Sequence, residues 1–131
     1  DQTKLYYSIH YVDLWPRAGH AIYQADVSSW DSTQISNSIM LIDTMALVDS
    51  TNLNTGMTFA MQLASDKKIY LTKCGYSYIR KIDSPNASGL ACNLIDSAVY
   101  IAGSQNSIRY SLTGLPTFMN SYLPFDSLTA I

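Results

Sequence analysis

The chain has 131 residues, enough for one compact domain that would bury roughly two-thirds of the surface its unfolded form exposes. Only 14% of its residues are charged, the formal charge is −2, and its eight basic residues are scattered, so no basic stripe marks it for nucleic acid. No apolar run approaches the roughly eighteen residues a membrane-spanning helix requires.

In chain order, Leu5, Tyr7, Ile9 and Tyr11 alternate with Tyr6, Ser8 and His10, which is strand spacing. A long excursion from Tyr11 to His20, carrying Trp15 and Pro16, leads to a second alternation over Ala21, Tyr23, Ala25 and Val27. Ile39 to Ile42 reads as a short buried strand, and Ile42 to Val48 could form one helical turn. Met57, Phe59, Met61 and Leu63 give a clean alternation. Ile69 to Thr72, Tyr76 to Asp83, Leu94 to Ile101 and Ser107 to Thr113 complete the predicted strands. Turn chemistry separates them at Asn52 to Gly56, Gly75, Pro85 to Gly89 and Gly103 to Asn106. No segment of about twelve residues or more holds a helical period. All ten acids are Asp, which favours turns and caps over helix interiors, and this composition argues for many short strands.

The first two strands recur. Lys4-Leu5-Tyr6-Tyr7-Ser8, answered by Ile22-Tyr23-Gln24-Ala25-Asp26, returns about sixty residues later as Asp66-Lys67-Lys68-Ile69-Tyr70-Leu71-Thr72, answered by Tyr78-Ile79-Arg80-Lys81-Ile82-Asp83. Self-similarity of this kind predicts an all-β fold of about two four-stranded antiparallel propeller blades plus a closing strand. The divisions expected are 1–56 for the first blade, 57–111 for the second and 112–131 for the closing strand and tail. A propeller ring normally needs four or more blades, so the chain is expected to be the tail of a larger propeller.

The same residues resemble a known family. Asp-x-x-Lys-Leu-Tyr, Ile-Tyr-Gln-x-Asp, Gln62 to Tyr70, Ile82-Asp83-Ser84-Pro85-Asn86, Gly89 to Leu94 and Gly114-Leu115-Pro116-Thr117-Phe118 look like the blades of Bacteroidota surface propellers. Those proteins commonly carry a gliding-motility-associated C-terminal domain. Ala64-Ser65-Asp66-Lys67 departs from the family's usual Ala-Pro-Asp-Gly turn. The resemblance implies export by the type IX route to the cell exterior or the outer-membrane surface. A role in adhesion or gliding would follow, with a protein or glycan, and the remaining blades, as partners.

Six of the ten Asp residues precede Ser or Thr. Five of these sites, at Ser32, Thr44, Ser50, Ser97 and Ser127, also resemble the O-glycosylation motif of that phylum, the alternative being that Asp-Ser and Asp-Thr build Asx-turns. Asn86-Ala87-Ser88 matches the eukaryotic sequon. Cys74 and Cys92 are the only cysteines; in an exported chain they could pair, closing a loop worth roughly 3 kcal/mol, or they could serve as two small buried apolar residues. Cys92 lies where the family's motif has its Cys.

Catalytic patterns are missing from the sequence: it has no Gly-x-Ser-x-Gly elbow, phosphate-cradling glycine loop or His-Glu-x-x-His motif. His10 and His20, the only imidazoles, read as strand residues rather than ligands. Tyr6, Tyr7, Tyr11, Trp15, Tyr23 and Trp30 crowd the first repeat, mostly as strand packing, with Trp15 the best candidate contact. The reading is a non-enzymatic surface scaffold without cofactor or metal. Its rivals are an enzyme propeller of lactonase or hydrolase type, with its site in other blades, and a structural subunit of a surface assembly.

Overall fold

A computed structural model describes residues 3–12, 18–46, 58, 60–101 and 115. Two antiparallel sheets account for nearly all of its regular structure. The first runs β1 (Lys4–Val12), β2 (Ala18–Asp26) and β3 (Met40–Ala46), in that spatial order. The second is a four-stranded meander of β4 (Met61–Leu63), β5 (Ile69–Leu71), β6 (Tyr78–Ile82) and β7 (Leu94–Tyr100).

The repeat read from the sequence is a repeat of register. Leu5 faces Ala25, Tyr6 faces Gln24 and Tyr7 faces Tyr23; at the matching positions Ile69 faces Ile82, Tyr70 faces Lys81 and Leu71 faces Arg80. Each pair of strands is closed at the same end by the same ion pair, Lys4 to Asp26 at 2.5 Å and Lys68 to Asp83 at 2.7 Å. The outer strand of each unit meets a register shift at the same place, between Ile22 and Tyr23 in one and between Ile79 and Lys81 in the other. A short helical element precedes each outer strand: α1 (Ser32–Asn37) before β3, and a 3-10 turn at Gly89–Cys92 before β7.

The sheets pack face to face. Residues opposed across an antiparallel ladder share a face, so Tyr6, Ile22 and Gln24 of the first sheet, joined by Ile42 at the register shift in β3, point toward Ile69, Leu71, Arg80 and Ile82 of the second. Ile22, Ile42, Leu71, Ile82 and Cys92 form the buried core, with Tyr6, Met61, Ile69 and Leu94 packed around it. Completely burying aliphatic side chains of this size is worth about 1.5–3 kcal/mol each. The seam is also hydrogen-bonded. Gln24, 2% exposed, donates to Ala87 O at 2.7 Å and to Tyr6 Oη at 2.5 Å, and accepts from Gly89 N at 2.8 Å. Tyr6 Oη in turn donates to Pro85 O at 2.9 Å. The loop that follows β6 is thereby fastened across β1 and β2.

Several expectations need correction. The first sheet has three strands among the described residues, not four. The long excursion from Tyr11 to His20 is shorter, because β1 continues to Val12 and β2 starts at Ala18, with Val12 opposite Ala18. The helical turn considered for Ile42 to Val48 is strand as far as Ala46, since pairing with Gly19 to Gln24 satisfies its backbone. A helix not read from the sequence, α1, forms because Asp31 caps it, its side chain accepting from Thr33 N and Gln34 N at 2.9 Å. Ser107 to Thr113, Met57 and Phe59 lie outside the described residues, as does all of the 112–131 segment except Leu115.

The departure at Ala64 to Lys67 also has a structural account. Lys67 has a φ of 62°, in the left-handed region that a glycine fills without strain. Lys67 N donates to Ala64 O, Ala64 N to Lys68 O, and Asp66 Oδ1 accepts from Lys68 N, so the hairpin keeps its turn with Lys in the glycine position.

Candidate functional site

One end of the seam is polar. Arg80 follows the inward-facing period of β6, with Ile82 two residues on, and is 2% exposed. Its Nη2 donates to Asp43 Oδ2 of β3 at 2.7 Å, and its Nε lies 2.6 Å from Asp96 Oδ1 of β7. The Nε–H is not aligned with that oxygen, so the second contact is one of charge rather than a directed hydrogen bond. Nη1 is buried and has no partner. Lys73, also buried, places Nζ 3.9 Å from the same Asp96 oxygen and 4.2 Å from the centre of the Tyr76 ring. Burial pushes the Lys73 ammonium below its ordinary value, with Asp96 opposing the shift.

Beside this group the sheets leave a cleft of about 260 Å³, lined by Ile42, Asp43, Arg80, Leu90, Asn93 and Asp96 among others. Each sheet contributes one carboxylate, and the 3-10 turn contributes Leu90, 77% exposed, as an apolar wall. Asn93 ends that turn in the left-handed region, at a φ of 56°.

His10 and His20 face each other across β1 and β2, ring centres 6.2 Å apart. His20 is completely buried and neither ring nitrogen has a hydrogen-bond partner. Burial lowers its pKa; Asp43 opposes the shift, while Arg80, His10 and Lys73 reinforce it. Among the described residues no group of three or more His, Cys, Asp or Glu side chains could hold a metal ion, and no helix is long and apolar enough to cross a membrane.

The other candidates are dispersed. Cys74 and Cys92 are both free thiols. Cys92 belongs to the core, and burial raises its pKa. Ser32, Thr44 and Ser97 are exposed, but the Asp before each is engaged in holding the fold, Asp31 as the cap of α1 and Asp43 and Asp96 as the partners of Arg80. Asn86 is exposed on the loop after β6. Ser50, Ser127 and Trp15 lie outside the described residues. Trp30, by contrast, is 88% exposed with a φ of 52°, the most solvent-facing large apolar side chain described. The Asp43, Arg80 and Asp96 group was not read from the sequence; the signal it left there was an arginine at an inward position of an otherwise apolar strand period.

The chain matches no protein-family model, no curated protein and no solved structure.

Proposed function

We propose that the chain is a segment of a stacked β-sheet scaffold of propeller type, non-catalytic and displayed at a cell surface, whose loops bind a protein or glycan. The observation carrying this reading is the head-to-tail join of two units with one register. The face of the first unit bearing Tyr6, Ile22 and Gln24 docks on the opposite face of the second, which bears Ile69, Leu71, Arg80 and Ile82. The equivalents of that second face in the first unit are Leu5, Tyr7, Tyr23 and Ala25; Ala25 is buried, while Leu5 and its apolar neighbours on the flanking strands stay open. Leu5, Ile9 and Leu41 there are 51%, 45% and 49% exposed, around a Tyr7–Tyr23 stack with ring centres 5.5 Å apart. Joins of this heterologous kind repeat until they close a ring or run on as a filament. Surface display, type IX export and glycan attachment rest on the motif resemblance, with exposed Ser32, Thr44 and Ser97 sterically open to modification.

Light scattering on the eluting isolated chain tests the scaffold reading. Self-association at micromolar concentration is expected, weakened by Leu41→Lys on the open face. A sharp monomer that unfolds cooperatively would refute it.

A further inference from the structure

We infer that the cleft between β3 and the 3-10 turn is a binding site for a neutral polyhydroxylated ring, a saccharide unit. This deepens the scaffold reading by naming a ligand class, and rests on it only insofar as the two sheets stay docked.

The cleft's spare hydrogen-bonding capacity selects the class. Arg80, 2% exposed, lines the cleft as a positive charge, but its unpartnered Nη1 and Nε are shielded from solvent, so the polar groups open to a ligand are the two carboxylates and the Asn93 amide. Among the described residues Asp43 meets Arg80 through Oδ2 and Asp96 meets Arg80 and Lys73 through Oδ1, so within that set each carboxylate keeps its other oxygen for a ligand. A bound anion would face two carboxylates, and a bound cation would face a buried guanidinium flanked by Lys73. A neutral hydroxyl both donates and accepts, so vicinal hydroxyls can donate to the carboxylates and pair with the Asn93 amide without adding charge beside Arg80. Leu90 supplies an apolar wall for the C–H face of a ring, and Asn93 adds an amide at the mouth. A volume of about 260 Å³ has room for one sugar ring and excludes a long oligosaccharide from full burial.

Saturation-transfer NMR on the whole chain provides the test, using methyl α-glucoside, methyl α-mannoside and methyl β-galactoside as probes, with acetate and ethylammonium as charged competitors. At least one glycoside is expected to give saturable transfer at millimolar Kd. Asn93→Gly, which keeps the left-handed backbone and deletes the amide, and Leu90→Ala, on an exposed side chain, should each weaken binding about fivefold, as the loss of roughly 1 kcal/mol predicts. Trp30→Ala should leave it unchanged. The inference is overturned if no glycoside saturates, if Trp30→Ala abolishes transfer while Asn93→Gly does not, or if acetate or ethylammonium displaces the sugar at lower concentration. Transfer is read on the ligand whether the chain is monomeric or associated, so an empty cleft and a failed stacking model give separate results.

Discussion

Replacing Gln24 with Leu should unfasten the loop from the first sheet while preserving side-chain volume. Three hydrogen bonds disappear. Gly89 N–H is buried and loses its acceptor, a cost of about 1–3 kcal/mol for an unsatisfied donor. Ala87 O and Tyr6 Oη are only partly buried, so each loss is worth about 0.5–1.5 kcal/mol, and Tyr6 keeps its bond to Pro85 O. The buried Leu returns about 1 kcal/mol by leaving water, for a net destabilisation of about 1–5 kcal/mol. Urea unfolding followed by circular dichroism measures it, with Gln34→Leu on the exposed face of α1 as a control expected within about 0.5 kcal/mol of the parent. Amide exchange at Gly89 should accelerate at least tenfold. Coinciding urea midpoints for the two variants, or unchanged exchange at Gly89, would refute the assignment of the seam to Gln24.

Gly89→Ala should cost about 1–2 kcal/mol, because Gly89 has a φ of 57° and an added Cβ would sit 2.7 Å from Met40 Cε; Met40→Ala relieves only the contact, so the double variant should stay destabilised in urea. Lys67→Gly should raise stability by about 0.5 kcal/mol, the relief of a left-handed Lys less the chain entropy of Gly, and an unchanged or lower midpoint would contradict the turn geometry. The His20 pKa is lowered on folding, so the unfolded chain binds the proton first. Its stabilising contribution is complete above pH about 6.5 and fades as pH falls below that, and His20→Phe should flatten the urea midpoint between pH 7 and 5. Asp83, held down to about 2 by Lys68 and Lys81, acts in a lower window: its contribution is present above pH 3.8 and lost toward pH 2, and Asp83→Asn should remove that part of the acid transition.

The sequence disclosed most where one face of a strand is apolar and the period is two, as in β1 and β2. The repeat of Lys4-Leu5-Tyr6 in Lys68-Ile69-Tyr70 marked the two units as copies, and the structure adds that they share a register and a closing ion pair. It disclosed less where structure depends on a few local bonds. Six residues of α1 are too few to display a helical period, although Asp31 ahead of Thr33 and Gln34 was a legible cap. Gln24 and Arg80 were hidden for another reason. Each shares the phase of an apolar neighbour, Ile22 or Ile82, but a polar side chain in a strand is ordinarily solvated, and the docking of the two sheets is what buries these two. Trp30 was counted among the packing aromatics because sequence spacing carries no information about which loop residues are left uncovered.

Tyr6 and Gln24 address only main-chain atoms of the loop after β6: Pro85 O, Ala87 O and Gly89 N. Asn86 and Ser88, exposed between those anchor points, contribute no side chain to the junction. At 86 and 88 the loop's lettering is therefore free to drift while its path stays fixed, so grafted peptides or new chemical groups there could be displayed at this edge without loosening the layers beneath.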